Sequence, residues 1–230
     1  MKRLLVMVAA CLWLVGCTTT NVRLADATPD KPAPGARILV LQPDIQLNVL
    51  TAAGLQEPRA DWSAAAKENI SKEVETALAT KSHNFKMVDA NSAMSGRSGQ
   101  LMRLHGAVGQ SILAFNYGAY SLPTKKKGTF EWTVGSGAQT LGTTYDADYA
   151  LFITGRGSYA SGGRVATMVG LAILGVSVPL GSQTVFCSMV DLKTGRIVWF
   201  NVANAGTNSD IREQSGATNL VAALFKTLPL

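Results

Sequence analysis

The first 17 residues constrain this chain most, because they separate a segment that is removed from the part that folds. Lys2 and Arg3 are followed by an apolar stretch over residues 4–16, which ends in a small residue directly before Cys17. This order of charge, apolar stretch and small residue is typical of a secretory signal. The stretch is shorter than the about 20 residues that a membrane-spanning helix needs. We therefore predict that residues 1–16 are a cleaved signal peptide.

Residues 14–17, with the sequence Leu-Val-Gly-Cys, resemble the lipobox of bacterial lipoproteins. The resemblance implies that Cys17 becomes the first residue of the mature chain and carries acyl groups such as palmitate, which hold the protein on a membrane. Thr18 stands where an Asp tends to retain such proteins at the inner membrane. This implies the outer membrane of a Gram-negative cell, with the domain facing the periplasm. The alternative is an ordinary signal peptide, which would leave Cys17 as a free thiol.

The composition of the mature part excludes some classes of function. Losing Lys2 and Arg3 with the signal takes the formal net charge from +6 to about +4, which gives no case for nucleic acid. Cys11 leaves with the signal and Cys17 takes the lipid, so Cys187 cannot form an intramolecular disulfide. Cys187 lies in an apolar, strand-like run and is predicted to be a buried small side chain. A reactive thiol or a metal ligand is the less favoured alternative.

The mature chain divides into a tether and one folded domain. Residues 17–36 contain three prolines and many small polar residues, a composition typical of flexible linkers. Fully extended, residues 18–36 would reach at most about 60–70 Å, so we expect the domain to stand clear of the lipid surface. Residues 37–230 are long enough for one sizeable core and are predicted to be a single domain.

This domain is predicted to be α/β, with helices packed on a mixed sheet. Short apolar runs predict strands, and apolar residues spaced by three or four predict helices. The predicted strands are 37–41, 85–89, 148–155, 182–192 and 197–203. The predicted helices are 62–78 with Asp61 as its cap, 100–115 with Leu101, Leu104, Val108, Ile112 and Phe115 as its buried face, and a last helix capped by Asp210 and Glu213. Residues 48–58 are predicted to be a loop.

Two connections near the end of the chain are informative. Residues 193–196 are predicted to form a hairpin turn, with Gly195 at the position that needs a positive φ. Residues 165–180 are apolar, and no charge occurs from Val165 to Val190. We predict that they form a crossover helix, covered by the domain itself or by a neighbouring subunit. Contact with a membrane is the alternative.

No motif in the sequence indicates catalysis, a cofactor or a bound metal. The chain has only two histidines: His83 is expected in a solvated turn and His105 at the half-buried edge of a helix. Residues 125–127 are three lysines, expected in an exposed loop, with an anion-binding patch as the alternative. Asp146 and Asp148 bring two carboxylates close at the start of a strand, where capping is more common than hydrolysis.

The order of elements resembles the periplasmic α/β domain shared by the curli secretion channel, the lipoprotein activators of penicillin-binding proteins and the amino-terminal domain of TolB. The resemblance is carried by the first strand at 37–43, by the Ala-Asp-Tyr strand at 147–152, and by the strand, turn and strand ending in Trp at 190–199. It covers about residues 37–230. The chain is also similar to uncharacterised proteobacterial lipoproteins that have a Gly-rich apolar segment before this hairpin.

The resemblance implies a non-enzymatic lipoprotein of the outer membrane that binds an envelope protein or itself during the assembly of a surface structure. Its expected partners are the lipid membrane through Cys17 and a protein, with no nucleic acid. The alternative is an oligomeric channel or secretion component in which residues 165–180 contact the membrane. The chain lacks the two alternating amphipathic hairpins of the channel family, which favours the first interpretation. An envelope hydrolase that uses Asp146 or Asp148 is a third possibility without an identifiable partner residue.

Overall fold

The computed structural model describes residues 19–24, 32–81, 83–89, 96–118, 120–121, 130–175, 180–205 and 209–230. The signal peptide, the lipidation residue Cys17 and the lysine run 125–127 lie outside these described residues. The predictions made for them are therefore not addressed by the fold.

Within these described ranges, eight strands form one mixed sheet, and five helices pack on it or extend from it. The strands are β1 Thr19–Leu24, β2 Arg37–Leu41, β3 Asp44–Leu50, β4 Gln56–Pro58, β5 Asn84–Val88, β6 Tyr149–Ala160, β7 Gly181–Asp191 and β8 Ile197–Ala205. The helices are α1 Ala60–Ala79, α2 Gly96–Ile112, α3 Gln139–Tyr145, α4 Gly162–Ala172 and α5 Gln214–Phe225. A π-helical turn, Leu113–Tyr117, extends α2, and a 3₁₀ turn, Ser136–Ala138, precedes α3. The predicted α/β fold with a mixed sheet is confirmed.

The sheet is organised around the long strand β6. The strand order is β1-β8-β7-β6-β2-β5, and β3 continues alongside β6 where β2 ends. Both β2 and β3 run parallel to β6, with Ile38 opposite Tyr149 and Leu50 opposite Ala160. The β7–β8 turn is the predicted hairpin, and Gly195 in it has φ +75°.

The core has two halves, one on each face of the sheet, because alternate side chains of a strand point to opposite faces. The half under α1 and α5 includes Ile38, Val40, Ile70, Val74, Leu151, Ile153, Cys187, Trp199, Leu220 and Leu224. The half under α2 and α3 includes Leu39, Leu41, Leu101, Ile112, Leu141, Ala150, Phe152, Phe186, Phe200 and Val202. Cys187 is fully buried, as predicted, and its burial raises the pKa of the thiol.

The predicted caps of two helices are wrong. Asp61 lies inside the first turn of α1, where it forms an ion pair with Arg59 at 2.5 Å. Asp210 lies before α5 and forms an ion pair with Arg212 at 2.6 Å. Glu213 is the N-cap residue of α5 but makes no side-chain capping bond. In both places the carboxylate that the sequence pattern predicts as a helix cap forms an ion pair with an arginine two residues away instead.

Two segments that the sequence predicts to be irregular pair with the sheet instead. Residues 19–24, inside the predicted tether, form β1 and pair antiparallel with β8. Residues 48–58, the predicted loop, contain the end of β3 and the whole of β4. The partner of β1 lies far away in sequence, so the composition of residues 19–24 does not reveal the pairing, whereas β4 pairs locally with the end of β3.

The prediction of a covered crossover helix at 165–180 is wrong for the domain itself. Strands β6 and β7 are antiparallel neighbours, with Tyr159 opposite Gly181, so the chain between them is the end of a hairpin and needs no crossover. Helix α4 lies in this connection, and none of its residues is buried. Residues 176–179 of the segment lie outside the described part.

The buried face of α2 is rotated from the predicted one. Its buried residues are Gly99, Leu101, His105, Gly109 and Ile112, whereas Leu104 is 46% exposed. His105 is 2% exposed, so the prediction of a half-buried edge position is wrong. Gly109 allows this rotation, because a Cβ there would lie 2.5 Å from the ring of Phe186.

Candidate functional site

Helix α4 projects from the end of the β6–β7 hairpin as an uncovered apolar element. Ser161 caps it by accepting a hydrogen bond from the backbone N–H of Arg164 at 3.2 Å. The side chains beyond this turn are almost all apolar, and Val169, Ile173 and Leu174 are 61%, 82% and 75% exposed. A helix that is apolar on all sides and still exposed indicates a surface that another body covers.

The turn between β3 and β4 adds to this surface. The backbone N–H of Ser161 donates to the carbonyl of Leu50 at 2.9 Å, and Arg164 donates to the carbonyl of Thr51 at 3.4 Å. Leu55 in this turn is 65% exposed. Among the described residues, seven large apolar side chains are exposed, and five of them lie at this end of the sheet. The five, which we call the apolar end, are Leu55, Val165, Val169, Ile173 and Leu174.

A cluster of aromatic and arginine side chains supports the sheet beside the apolar end. Trp62 and Tyr159 meet edge to face at 6.0 Å, and Arg212 stacks on both rings at 4.3 Å and 3.9 Å. Arg59 stacks on Trp62 at 4.3 Å. The Tyr159 hydroxyl donates to Gln183 at 2.6 Å, and burial raises the pKa of this hydroxyl. The cluster ties α1 and the loop before α5 to the last residues of β6.

An open cleft of about 710 Å³ lies between α2 and the strands β3 and β6. Three basic side chains line it: Lys67 from α1, Arg103 from α2 and Arg156 from β6. Arg156 donates to the carboxylate of Asp44 at 2.6 Å, whereas neither Lys67 nor Arg103 forms an ion pair within the described residues. The apolar part of the lining is Leu41, Ile45, Met102, Phe152 and Ile153. The cleft can therefore accept an acidic group together with apolar side chains.

His105 lines this cleft but lies among buried side chains. Its ring stacks on Phe152 with centroids 3.9 Å apart, and its Nε2 lies 2.5 Å from the Ser188 hydroxyl oxygen. Burial lowers the pKa of His105 to about 3, so the ring is neutral at physiological pH. Its hydrogen bond to Ser188 gives it a structural role.

The two carboxylates that the sequence singles out meet Arg37 at the other end of β6. The guanidinium donates to Asp148 at 3.0 Å and 3.2 Å and also to Asp146. The backbone N–H of Arg37 donates to Asp148 at 2.9 Å. These hydrogen bonds lower the pKa of Asp148. The carboxylate of Asp148 thus joins the starts of β2 and β6, and neither aspartate lines the cleft.

Metal-binding clusters and membrane-spanning helices are both absent from the described residues. These residues contain no group of three or more His, Cys, Asp or Glu side chains that could hold a metal ion. Nor does any described helix combine the length and the apolarity needed to cross a bilayer.

Neither the cleft nor the aromatic cluster is predicted from the sequence. Lys67, Arg103 and Arg156 are separated along the chain and lie on three different elements, so no local pattern connects them. The apolarity of α4 was visible in the sequence, but its exposure was not, because exposure depends on which strands neighbour each other.

No known family profile matches this chain, and no curated protein sequence matches it. Similar solved structures include a PelC dodecamer from Paraburkholderia phytofirmans, with a TM-score of 0.38 and 10% identity over 90% of this chain and 97% of that chain. They also include the lipoprotein GNA1162 from Neisseria meningitidis, with a TM-score of 0.36 and 14% identity over 84% and 97% of the two chains. The LpoB C-terminal domain from Salmonella enterica has a TM-score of 0.29 and 16% identity over 80% and 88%. Similarity at this level does not establish a function.

Proposed function

We propose that this protein is a lipoprotein of the outer membrane that binds an envelope protein through the cleft and has no enzymatic activity. The observation that carries the proposal is the cleft itself, which combines apolar walls with the basic side chains of Lys67 and Arg103. Such a surface favours an acidic segment that also carries apolar side chains. The resemblance of residues 14–17 to a lipobox supports the proposed location at the outer membrane.

The contacts of the candidate catalytic side chains support binding over catalysis. The His105 ring is buried, neutral and hydrogen-bonded to Ser188, so proton transfer to a bound molecule would require breaking this arrangement. The carboxylate of Asp148 is occupied by Arg37. An oligomeric channel is less favoured, because the 11 residues of α4 extend only about 16 Å.

The binding proposal is tested by photo-crosslinking in intact cells. A photoreactive amino acid at Gln110, which lines the cleft, should give one discrete adduct with an envelope protein. Charge reversal by Lys67→Glu and Arg103→Glu should reduce this adduct at least tenfold. The matched control position is Thr143, on α3 and outside the cleft, which should give no such adduct. An absent adduct at Gln110, or one that charge reversal leaves unchanged, would contradict the proposal.

The lipid anchor is tested separately by the intact mass of the mature protein. The mass should correspond to a chain that begins at Cys17 and carries acyl groups. Cys17→Ala should leave unprocessed precursor in the membrane or release the protein to the soluble fraction. A mature chain that begins elsewhere and carries no lipid would remove the anchor from the proposal.

A further inference from the structure

We propose that the apolar end is a membrane-contact surface, which enters the interfacial layer of the same bilayer that holds the lipid on Cys17. The inference rests on the proposed lipid anchor and adds a second point of contact, formed by α4 and the β3–β4 turn. It would fix the orientation of the domain on the membrane instead of leaving it at the end of a tether.

The pairing of the strands shows that the N-terminus and α4 lie at the same end of the sheet. Thr19 in β1 is opposite Asn204 in β8, and Asn204 is opposite Thr184 in β7. Thr184 is in turn opposite Arg156 in β6. Because each neighbouring pair of strands is antiparallel, the start of β1 and the end of β6 lie at the same end of the sheet. Thr19 is therefore level with Arg156, four residues before the end of β6 at Ala160.

The covalent reach of the chain from Thr19 brings the acyl groups proposed for Cys17 within range of α4. Three strand spacings separate β1 from β6, which is about 14 Å. Cys17 precedes Thr19 by two residues, so its Cα lies within about 8 Å of the Thr19 Cα. The four residues from Arg156 to the end of β6 add about 13 Å in the direction of α4. Acyl groups on Cys17 could therefore reach to within about 5 Å of the level where α4 leaves the sheet, so a bilayer that receives them is within reach of α4.

The chemistry of α4 fits a lipid surface. After Arg164 the next charged residue is Asp191, so residues 165–190 carry no charge. A helix of about 16 Å cannot span a hydrocarbon core of about 30 Å, but it can enter the interfacial layer, which is about 5–10 Å deep. Arg164 stands at the base of α4, at the level of phosphate headgroups, which attract cationic side chains.

The same geometry favours a bilayer over a second copy of the chain as the occupant. A second copy that covered α4 would occupy the space that the bilayer needs in order to receive the acyl chains proposed for Cys17. The β3–β4 turn, which carries the exposed Leu55, is joined to the base of α4 by the hydrogen bond from Ser161 to Leu50, so the exposed apolar residues belong to neighbouring segments at one end of the sheet. Arg156, in the lining of the cleft, lies about 13 Å before the end of β6, so the cleft would be close to such a bilayer.

A single fluorescent label on α4 tests the inference in the full-length, processed protein. Cys17 is blocked by its lipid and Cys187 is buried, so Ile173→Cys provides the one accessible thiol in the described part of the chain. The protein is labelled with an environment-sensitive dye and reconstituted in vesicles of phosphatidylethanolamine and phosphatidylglycerol. The matched control is Leu104→Cys, an exposed leucine on α2.

The label at Ile173 should show blue-shifted emission, at least threefold protection from iodide and strong quenching by doxyl lipids, whereas the label at Leu104 should show none of these. A water-exposed label at Ile173 would overturn the inference. Protection from iodide without quenching by doxyl lipids would indicate a protein occupant and would overturn it as well. Intact mass separates this result from the anchor. An acylated protein with a water-exposed label removes the inference alone, whereas an unacylated protein removes the anchor and, with it, the premise of the inference.

Discussion

The imidazole of His105 stacks on the ring of Phe152, with ring centroids 3.9 Å apart and ring planes inclined by 14°. The stack lies under α2, with the Ser188 hydroxyl at the edge of the imidazole. A protonated ring would lose its hydration without gaining a carboxylate partner, and this burial lowers the pKa of His105 to about 3.

We expect His105 to make the domain less stable in mild acid. Because its pKa is lower in the folded chain than the about 6.5 of an unfolded one, the unfolded state binds the proton first. The contribution of the neutral ring is complete above pH 6.5 and declines toward pH 3, by about 1.4 kcal/mol per pH unit. Urea unfolding at pH 7.5 and pH 5.0 measures the decline. His105→Phe should flatten it; an equal decline in this variant would show that another group is responsible.

We expect two isoleucines to respond oppositely to truncation. Ile70→Ala, in the core half under α1, should destabilise the domain by about 2–5 kcal/mol, because it leaves a cavity at a fully buried position. Ile173→Ala should change the free energy of unfolding by less than about 0.5 kcal/mol, because this side chain is 82% exposed. Denaturant unfolding of the lipid-free chain compares the two. A large loss at Ile173 would mean that α4 packs on the domain after all.

Asp148→Asn should lower the melting temperature by a few degrees at most. Asp148 accepts three hydrogen bonds from Arg37, including one from the backbone N–H, but the ion pair is partly exposed and therefore screened by solvent. Since Arg37 lowers the pKa of Asp148, this contribution is present at neutral pH and is lost as the pH falls below about 4. Asp146→Asn is the control. Its side chain is 82% exposed, so its effect should be smaller, and a larger effect would reverse the assignment.

Gly175 and Gly195 have nearly the same φ angle but different surroundings, so alanine substitutions at the two positions distinguish backbone strain from steric crowding. Gly195 has φ +75°, and a Cβ there would lie 2.1 Å from the carbonyl oxygen of Gly135. Gly175 has φ +77°, and a Cβ there would meet no atom within 4 Å. Gly175→Ala should therefore cost about 1 kcal/mol of backbone strain, and Gly195→Ala should cost clearly more. Thermal unfolding of both variants measures the difference, and equal costs would show that the β7–β8 turn yields easily.

The elements that the sequence predicts well are those whose burial is written into consecutive residues. Ala66, Ile70, Val74 and Leu78 recur at helical spacing, and all four are buried in α1. The three strands from β6 to β8 are continuous apolar runs because both of their faces are covered. Gly195 marks the tight turn between β7 and β8, where φ is +75°.

The elements that the sequence does not predict depend on partners that are distant along the chain. Residues 19–24 become a strand only because β8 offers an open edge. His105 is buried because α2 rotates toward the sheet, where Gly109 lets the ring of Phe186 approach. The cleft combines three basic residues that no local pattern connects. The apolar pattern of residues 165–180 predicts a covered helix, but the hairpin of β6 and β7 carries α4 beyond the sheet.

The pairing of β1 with β8 also determines how the domain bears mechanical load. A pull on the N-terminus acts along β1, at right angles to the hydrogen bonds of an antiparallel pair. The six residue pairs from Thr19 to Leu24 therefore share the force in shear, and none of them has to open first as in a zipper. If the proposed lipid on Cys17 holds the chain, β1 would spread a pull from the membrane over its pairing with β8 before the rest of the fold is loaded.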